Sequence, residues 1–324
     1  MTFRARLIYN PTAGSFPSGL QSEKVATELA RVGWEVDIVQ SLNGPHITTL
    51  ARDAADAGMD AVLIAGGDGS VSLTVAGLLN SNTALGVLPA GTSNVLAQEL
   101  GMTNLSLIRS TKLIDSAKKL IRGKVYNVDM GYCNGVPFLL WAGIGLDGFI
   151  IHRIEPRQSW EKHFAVLQYT SRAVWNLHFW KGIKLEVHID NRVIEGNYLM
   201  AVASNIRLYA GGLAELSPSA QLDDGQMDLW LFDGSSPLDA YQRAIDLFSG
   251  RHVNSIHATC LPFKKLSIRS EAPLYTQLDA EPYEGFGEIK LEVVPNQLRM
   301  LVPANIKPGL FCQSPIMNHL PQRI

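Results

Sequence analysis

Cysteine is scarce in this chain: three in 324 residues, at Cys133, Cys260 and Cys312. An odd, widely spaced set argues against a disulfide framework and a Cys-x-x-Cys metal site, and fits a reducing cytoplasm. Positive charge is not in excess. The 28 Lys and Arg are balanced by 30 Asp and Glu, for a net charge of −2, which excludes the basic footprint of a nucleic-acid binder. No apolar run reaches the roughly 18 residues that a membrane-spanning helix needs. The opening MTFRARLIYNPTAG has only a very short apolar core, too short for a signal peptide. The expected location is therefore cytoplasmic, with peripheral contact at a membrane surface left open. G-x-x-x-x-G-K-[ST] is missing, as are H-R-D and D-F-G, so neither a P-loop enzyme nor a protein kinase is indicated. His152, His163, His178 and His188 form no i, i+4 metal pair and read as structural or surface residues.

What is present is an alternation. Over the first 130 or so residues, strand-like runs (RARLIYN, WEVDIVQS, DAVLIAG, ALGVLPAGT) are separated by helix-like ones (LQSEKVATELARVG, ITTLARDAADAG, VSLTVAGLLN, NVLAQELG, STKLIDSAKKLIRGK). That order implies βαβ units and a parallel sheet covered on both faces. Beyond about residue 125 the texture becomes a series of short strands, beginning with an Asn134-Gly135 hairpin signal and including LYTQLDAE. These predict an antiparallel sandwich or barrel. Helical stretches are expected over 160–179 and over SPLDAYQRAIDLFSGRH. The reading is a domain over 1–128, a second over 129–303, and a tail, 304–324, that packs back on the first.

Residues 65–70, AGGDGS, stand between a strand and a helix. Glycines let a backbone approach an anion, and the helix N-terminus offers N–H groups and partial positive charge. Ser70 is placed to cap that helix or to reach a phosphate oxygen. A type I′ hairpin at Asp68-Gly69 is the simpler reading, but the 3.6-residue period of the segment that follows disfavours it. A dinucleotide fingerprint is disfavoured too, because the order is G-G-D-G and a carboxylate beside a pyrophosphate needs a cation. Mg²⁺, or a proton acceptor beside a transferred group, fits better. LPAGTSN (88–94) and YNPTAG (9–14) are further strand-end loops, and in an open α/β sheet such loops converge on one ligand. Thr92 and Asn94 supply donors there. Taken alone, Asp223-Asp224-Gly225 is a solvated turn and Glu281 a surface acid.

Together these segments resemble the diacylglycerol kinase catalytic-domain family, which includes sphingosine kinases and bacterial lipid kinases. NPTAG, GGDGS, LPAGTSNVLA, NVDMG (127–131), SNIRLYAGGLAELSPSAQLDDGQMDL and LDAEP (278–282) carry the resemblance. It implies a phosphofructokinase-like α/β domain followed by a β-sandwich, as in NAD kinase and diacylglycerol kinase folds, with ATP in the cleft between them. It further implies ATP contacts from Asn10, Ser41, Gly66, Gly67, Asp68, Gly69, Ser70, Val71, Ser72 and Thr92. An Mg²⁺ site is implied at Asp224 with the main-chain carbonyls of Gln221 and Gln226, and Asp129 joining through water. Glu281 is then the expected general base, with Asp68 its rival.

The activity so implied is phosphorylation of a lipid alcohol, such as diacylglycerol or a sphingoid base, presented at a membrane surface and serving phospholipid metabolism. The aromatic segment HFAVLQYTSRAVWNLHFW reads as a packed helix or as a gate for the lipid. An exposed sheet edge would suit a homodimer. Ser70 stands for Thr, Val95 for Asp and Ala280 for Gly in the family pattern. The last two support an alternative, a non-catalytic nucleotide- or lipid-binding protein; a kinase for a soluble alcohol or nucleotide is the other.

Overall fold

The computed structural model describes residues 2–11, 18–102, 112–154, 180–190, 192–285, 287–318 and 320–321. The helix expected over 160–179 lies outside them. The chain divides into two units, Met1–Val128 with Asn296–Ile324, and Asp129–Pro295.

In the first unit, β1 (Arg4–Tyr9), β2 (Glu35–Gln40), β3 (Ala61–Gly66) and β4 (Ala84–Pro89) alternate with α1 (Ser18–Arg31), α2 (Gly44–Asp56) and α3 (Asp68–Leu78). Two more helices follow, α4 (Val95–Glu99) and α5 (Lys112–Ile121). Strands β1 to β4 are mutually parallel. β1 pairs with both β2 and β3, β3 pairs with β4, and Met300 and Leu301 extend the sheet beyond β4. β3 and β4 are buried at every position, which is why AVLIAG and ALGVLP read as continuous apolar runs rather than alternating ones. Leu7, Ile8, Leu63, Ile64 and Leu85 are fully buried, each contributing about 1.5–3 kcal/mol of transfer free energy. Asn43 caps α2 by accepting from the His46 amide. The tail is anchored by Val125, whose amide donates to the Met317 carbonyl, and by Phe311 stacked on Tyr126 at 4.2 Å.

The second unit is an antiparallel β-sandwich. Its elements in chain order are β5 (Lys124–Cys133), β6 (Val136–Phe138), β7 (Trp141–Gly145), α6 (Leu146–Ile154), β8 (Ile183–Ile189) and β9 (Arg192–Ser204). β10 (Leu208–Tyr209), β11 (Ala214–Glu215), β12 (Met227–Asp233), α7 (Pro237–Phe248) and β13 (Ala258–Phe263) come next. β14 (Lys265–Arg269), β15 (Leu274–Leu278), β16 (Glu281–Gly285) and β17 (Glu288–Val302) complete it. β9 is the strand that changes layers: up to Tyr198 it pairs with β8, and from there to Ser204 it runs between β7 and β12. Sandwich corners are made by strands that switch partners in this way. The core between the layers is built from Phe138, Leu185, Val187, Leu229, Leu231, Ile268 and Ile289, among others. Asn134 and Gly135 both have positive φ, the I′ geometry that their sequence calls for.

Residues 274–281, expected as one strand, instead make a hairpin. Leu278 pairs with Glu281, and Asp279 and Ala280 form a two-residue turn with φ of +49° and +68°.

Candidate active site

The strand order β2-β1-β3-β4 reverses at β1 and β3, and in such sheets ligands bind outside the carboxyl ends of the strands at the reversal. The elements that end there carry most of the expected nucleotide residues. Asn10 follows β1, its amide donating to the Ala65 carbonyl at 3.2 Å, and its Nδ2 donating to Ser70 Oγ at 3.3 Å. The loops after β1 and β3 are thereby joined. α3 begins at Asp68, with Gly67 as N-cap in extended conformation, so Asp68-Gly69 is not a hairpin turn. Ser70 lies one turn inside the helix, buried, and does not cap it. The first intrahelical bond runs from the Val71 amide to the Gly67 carbonyl. The amides before it have no intrahelical acceptor and suit an anion.

Two loops define this strand end. A Cβ on Gly91 would lie 2.4 Å from the Gly67 Cα, so the loops after β3 and β4 meet backbone on backbone, an approach that no side chain at Gly91 would allow. Asp68 ties them a second time, Oδ1 accepting from the Leu96 amide at 3.4 Å. Asn94, expected as a ligand donor, is turned inward. In left-handed conformation at φ +53°, it accepts from the Gly91 amide at 2.8 Å and donates to the Gly91 carbonyl at 2.6 Å. It shapes the loop while Thr92 stays exposed. Ser41 sits at the end of β2, only 2% exposed, its hydroxyl donating to the Tyr9 carbonyl. Val71 is buried and Ser72 half-buried, the Ser72 hydroxyl donating to the Asp68 carbonyl. The amides at the start of α3 and the glycine contact fit a nucleotide phosphate, while the Ser41 and Ser72 hydroxyls donate within the chain.

In the second unit, Asp129 is fully buried and organises the 222–226 loop. Its Oδ2 accepts from the Gly225 amide at 2.6 Å, and its own amide donates to the Leu222 carbonyl. Asn205 Nδ2 donates to the carbonyls of Asp129 and Leu139. Asp129 therefore reaches the loop directly, through both its carboxylate and its own amide. Asp224 and Gln226 lie on this loop and Gln221 directly before it, with Asp224 Oδ1 accepting from the Gln226 amide.

Asp224 has an exposed side chain, yet partial desolvation raises its carboxyl above the usual range. The nearby Asp228 and Asp223 push the same way, while the Gln226 amide opposes them. A hard cation relieves that crowding, and a carboxylate with carbonyl oxygens is the donor set Mg²⁺ takes. Among the described residues no cluster of three or more His, Cys, Asp or Glu forms a metal site; the Mg²⁺ expectation rests on one carboxylate and main-chain oxygens.

Glu281 opens β16, exposed, directly after the Asp279-Ala280 turn. Three backbone amides hold that turn through Asp279. Leu139 donates to Oδ2 at 2.9 Å, while Leu140 and Trp141 donate to Oδ1 at 2.7 and 3.1 Å. Gln277 Oε1 accepts from the Ala280 amide at 2.7 Å. Asp279 and Gln277 were missed as organisers of the turn because their partners lie far away or across it. The one sequence signal there is the alanine at 280 where the family pattern has glycine.

Two family profiles match the chain. That of the diacylglycerol kinase catalytic domain covers residues 4–133, and that of the YegS C-terminal NAD kinase beta sandwich-like domain covers 143–302. Among curated relatives, a diacylglycerol kinase of Bacillus subtilis is 25% identical over 86% of this chain and 89% of its own. One of Staphylococcus aureus is 26% identical over 87% of each. Among solved structures, a diacylglycerol kinase from Bacillus anthracis superposes with a TM-score of 0.69 at 22% identity, over 94% of this chain and 98% of its own. An NAD kinase from Archaeoglobus fulgidus in complex with ATP superposes at 0.50 and 12% identity, over 93% and 94%. With both domains matched in order along nearly the whole length, the chain belongs to the diacylglycerol kinase catalytic-domain family.

Proposed function

We propose that the protein is an ATP- and Mg²⁺-dependent kinase that phosphorylates the hydroxyl of a lipid alcohol, such as diacylglycerol or a sphingoid base, at a membrane surface. The observation that carries the reading is the N-terminus of α3 at the strand-order reversal, which carries no side-chain cap and lies beside the Gly67–Gly91 backbone contact. The lipid class is supported by relatives named diacylglycerol kinase.

Bound Mg·ATP would supply the phosphoryl group, the ADP leaving group and the charge that screens the phosphates. The chain's part is positioning and proton transfer. Gly66–Ser72 offers amides and the Ser70 hydroxyl to phosphate oxygens, with Asn10 donating to Ser70, and Ser41 and Thr92 at the neighbouring strand ends. Asp224, with the carbonyls of Gln221 and Gln226, would hold the cation. Glu281 accepts the substrate hydroxyl proton as that oxygen bonds to the γ-phosphorus and the bond to the bridging oxygen breaks. Glu281 suits this role better than Asp68. Asp68 joins two loops through the Leu96 amide, and Glu281 stands exposed directly after a clamped turn.

The two departures that favour a non-catalytic protein have plain structural settings. Ala280 adopts the left-handed geometry expected of a glycine, and Val95 is buried at the start of α4. The test is transfer of label from γ-labelled ATP with Mg²⁺ to a panel of diacylglycerol, sphingoid base, monoacylglycerol, phosphatidylglycerol and soluble alcohols. Label in a lipid, lost in Asp68→Ala and Glu281→Ala, supports the reading. Tight ATP binding with no turnover on any acceptor would refute it, and label only in a soluble alcohol would move the substrate class.

A further inference from the structure

We propose that Gln277, itself oriented by Asp147, is a positioning residue for Glu281; this rests on the reading of Glu281 as the base. Asp147 on α6 and Gln277 on β15 are 3% and 2% exposed, and stand 130 positions apart in sequence. Gln277 Nε2 donates to Asp147 Oδ2 at 2.8 Å, and Gln277 Oε1 accepts from the Ala280 amide at 2.7 Å. An amide has one donor end and one acceptor end. The carboxylate demands the donor end, so the acceptor end is delivered to the turn.

The space is reserved for this pair. A Cβ on Gly143 would fall 1.7 Å from Asp147 Oδ2 and 2.7 Å from Gln277 Nε2. A buried carboxylate is costly unless partnered. This one is kept beside a turn that is already anchored on its other side by Asp279 and the amides of Leu139, Leu140 and Trp141.

The clamp answers a local problem. An I′ turn favours Asn-Gly or Asp-Gly, and here the second place is alanine at φ +68°. Strained conformations persist where the surroundings over-determine them. Two clamps, one on each turn residue, set the direction in which the next residue, Glu281, leaves. α6 carries this control because its start bears Asp147 and its His152 ring bonds the Thr276 carbonyl on the same strand.

The test exchanges the polarity of the pair. Gln277→Glu sets a second carboxylate against Asp147. Adding Asp147→Asn restores one donor facing one acceptor, in reverse, and leaves an oxygen for the Ala280 amide. Gln277→Glu is expected to lower kcat on the order of 10- to 100-fold with KM for ATP unchanged, as misplaced catalytic groups do. The double variant should return to within about threefold, a coupling that independent sites do not show. Hydrogen exchange at the Ala280 amide should rise in the single variant and fall back in the double.

Wild-type kcat in Gln277→Glu, or a double variant no better than the single one while both melt cooperatively, overturns the proposal. Exchange that moves as stated in a protein that phosphorylates no acceptor keeps the clamp and rejects the kinase reading. Exchange that does not move rejects the clamp in either case.

Discussion

Gly67 and Gly91 meet without a side chain between them: a Cβ on Gly91 would stand 2.4 Å from the Gly67 Cα and 3.1 Å from Asn94 Oδ1. Real Cβ atoms do not approach backbone so closely, so Gly91→Ala must push the two strand-end loops apart. The expected cost is about 1–3 kcal/mol, typical of overpacking. The separation should also erase the rise in melting temperature that Mg·ATP is expected to give the wild type. Thermal melts with and without Mg·ATP check both; an unchanged nucleotide shift in Gly91→Ala would show that the loops do not form the phosphate site.

Ala280 offers the opposite case, a side chain where glycine is at ease. Left-handed backbone costs an L-residue roughly 1–2 kcal/mol, part of which glycine loses again in unfolded-state entropy. Ala280→Gly should therefore stabilise the protein by about 0.5–1 kcal/mol. Ala280→Val, β-branched at positive φ, should destabilise it. Urea denaturation of the three proteins reads the order. A glycine variant less stable than wild type would mean that the alanine methyl makes a compensating contact.

The sequence speaks most clearly where one property repeats. The buried parallel strands were legible because AVLIAG and ALGVLP are apolar at every place, and α3 because Val71, Val75 and Leu78 recur at helical spacing. The glycine loop was legible as a phosphate loop because it lies between two such elements. Individual side-chain tasks were not. Asn94 carries the donor that suggested a ligand contact, yet its φ of +53° turns it onto Gly91. Asp279 and Gln277 act through the amides of 139–141 and through Asp147, partners set by tertiary folding and unmarked in local sequence. The run 274–281 looked like one strand because its turn has no glycine.

The cap of α7 should show in the pH dependence of stability. Ser236 Oγ accepts from the Asp239 amide, and Asp239 Oδ2 accepts from the amides of Ser235 and Ser236 at 2.9 and 3.0 Å. The Ser235 amide first, then the Ser236 hydroxyl, hold the Asp239 carboxyl below the usual range. The folded state thus binds its proton less readily than the unfolded state. Its stabilisation is present above the unfolded value of about 3.9 and is lost as pH falls through the folded value. Asp239→Asn should be less stable than wild type at pH near 7, the gap closing in acid. Ser236→Ala should cost about 1 kcal/mol. Chemical denaturation across pH checks this, and a gap that widened in acid would reverse the assignment.

Asp129 gives the sharpest test of the loop proposed to hold Mg²⁺. It is buried, and its 2.6 Å bond from the Gly225 amide fixes the turn on which Asp224 sits. Asp129→Asn keeps the shape but replaces a charged acceptor with a neutral one. A hydrogen bond to a charged group contributes about 1.5–3 kcal/mol, so a loss of that order is expected without any metal. Asp224→Asn removes a proposed ligand from an exposed position and should cost little in metal-free protein. Mg²⁺ should raise the melting temperature of the wild type, less in Asp129→Asn and not at all in Asp224→Asn, with EDTA reversing each rise. If Asp224→Asn keeps the full Mg²⁺ shift, the cation binds elsewhere. If Asp129→Asn loses stability but keeps the shift, Asp129 supports the fold of the loop without shaping its metal site.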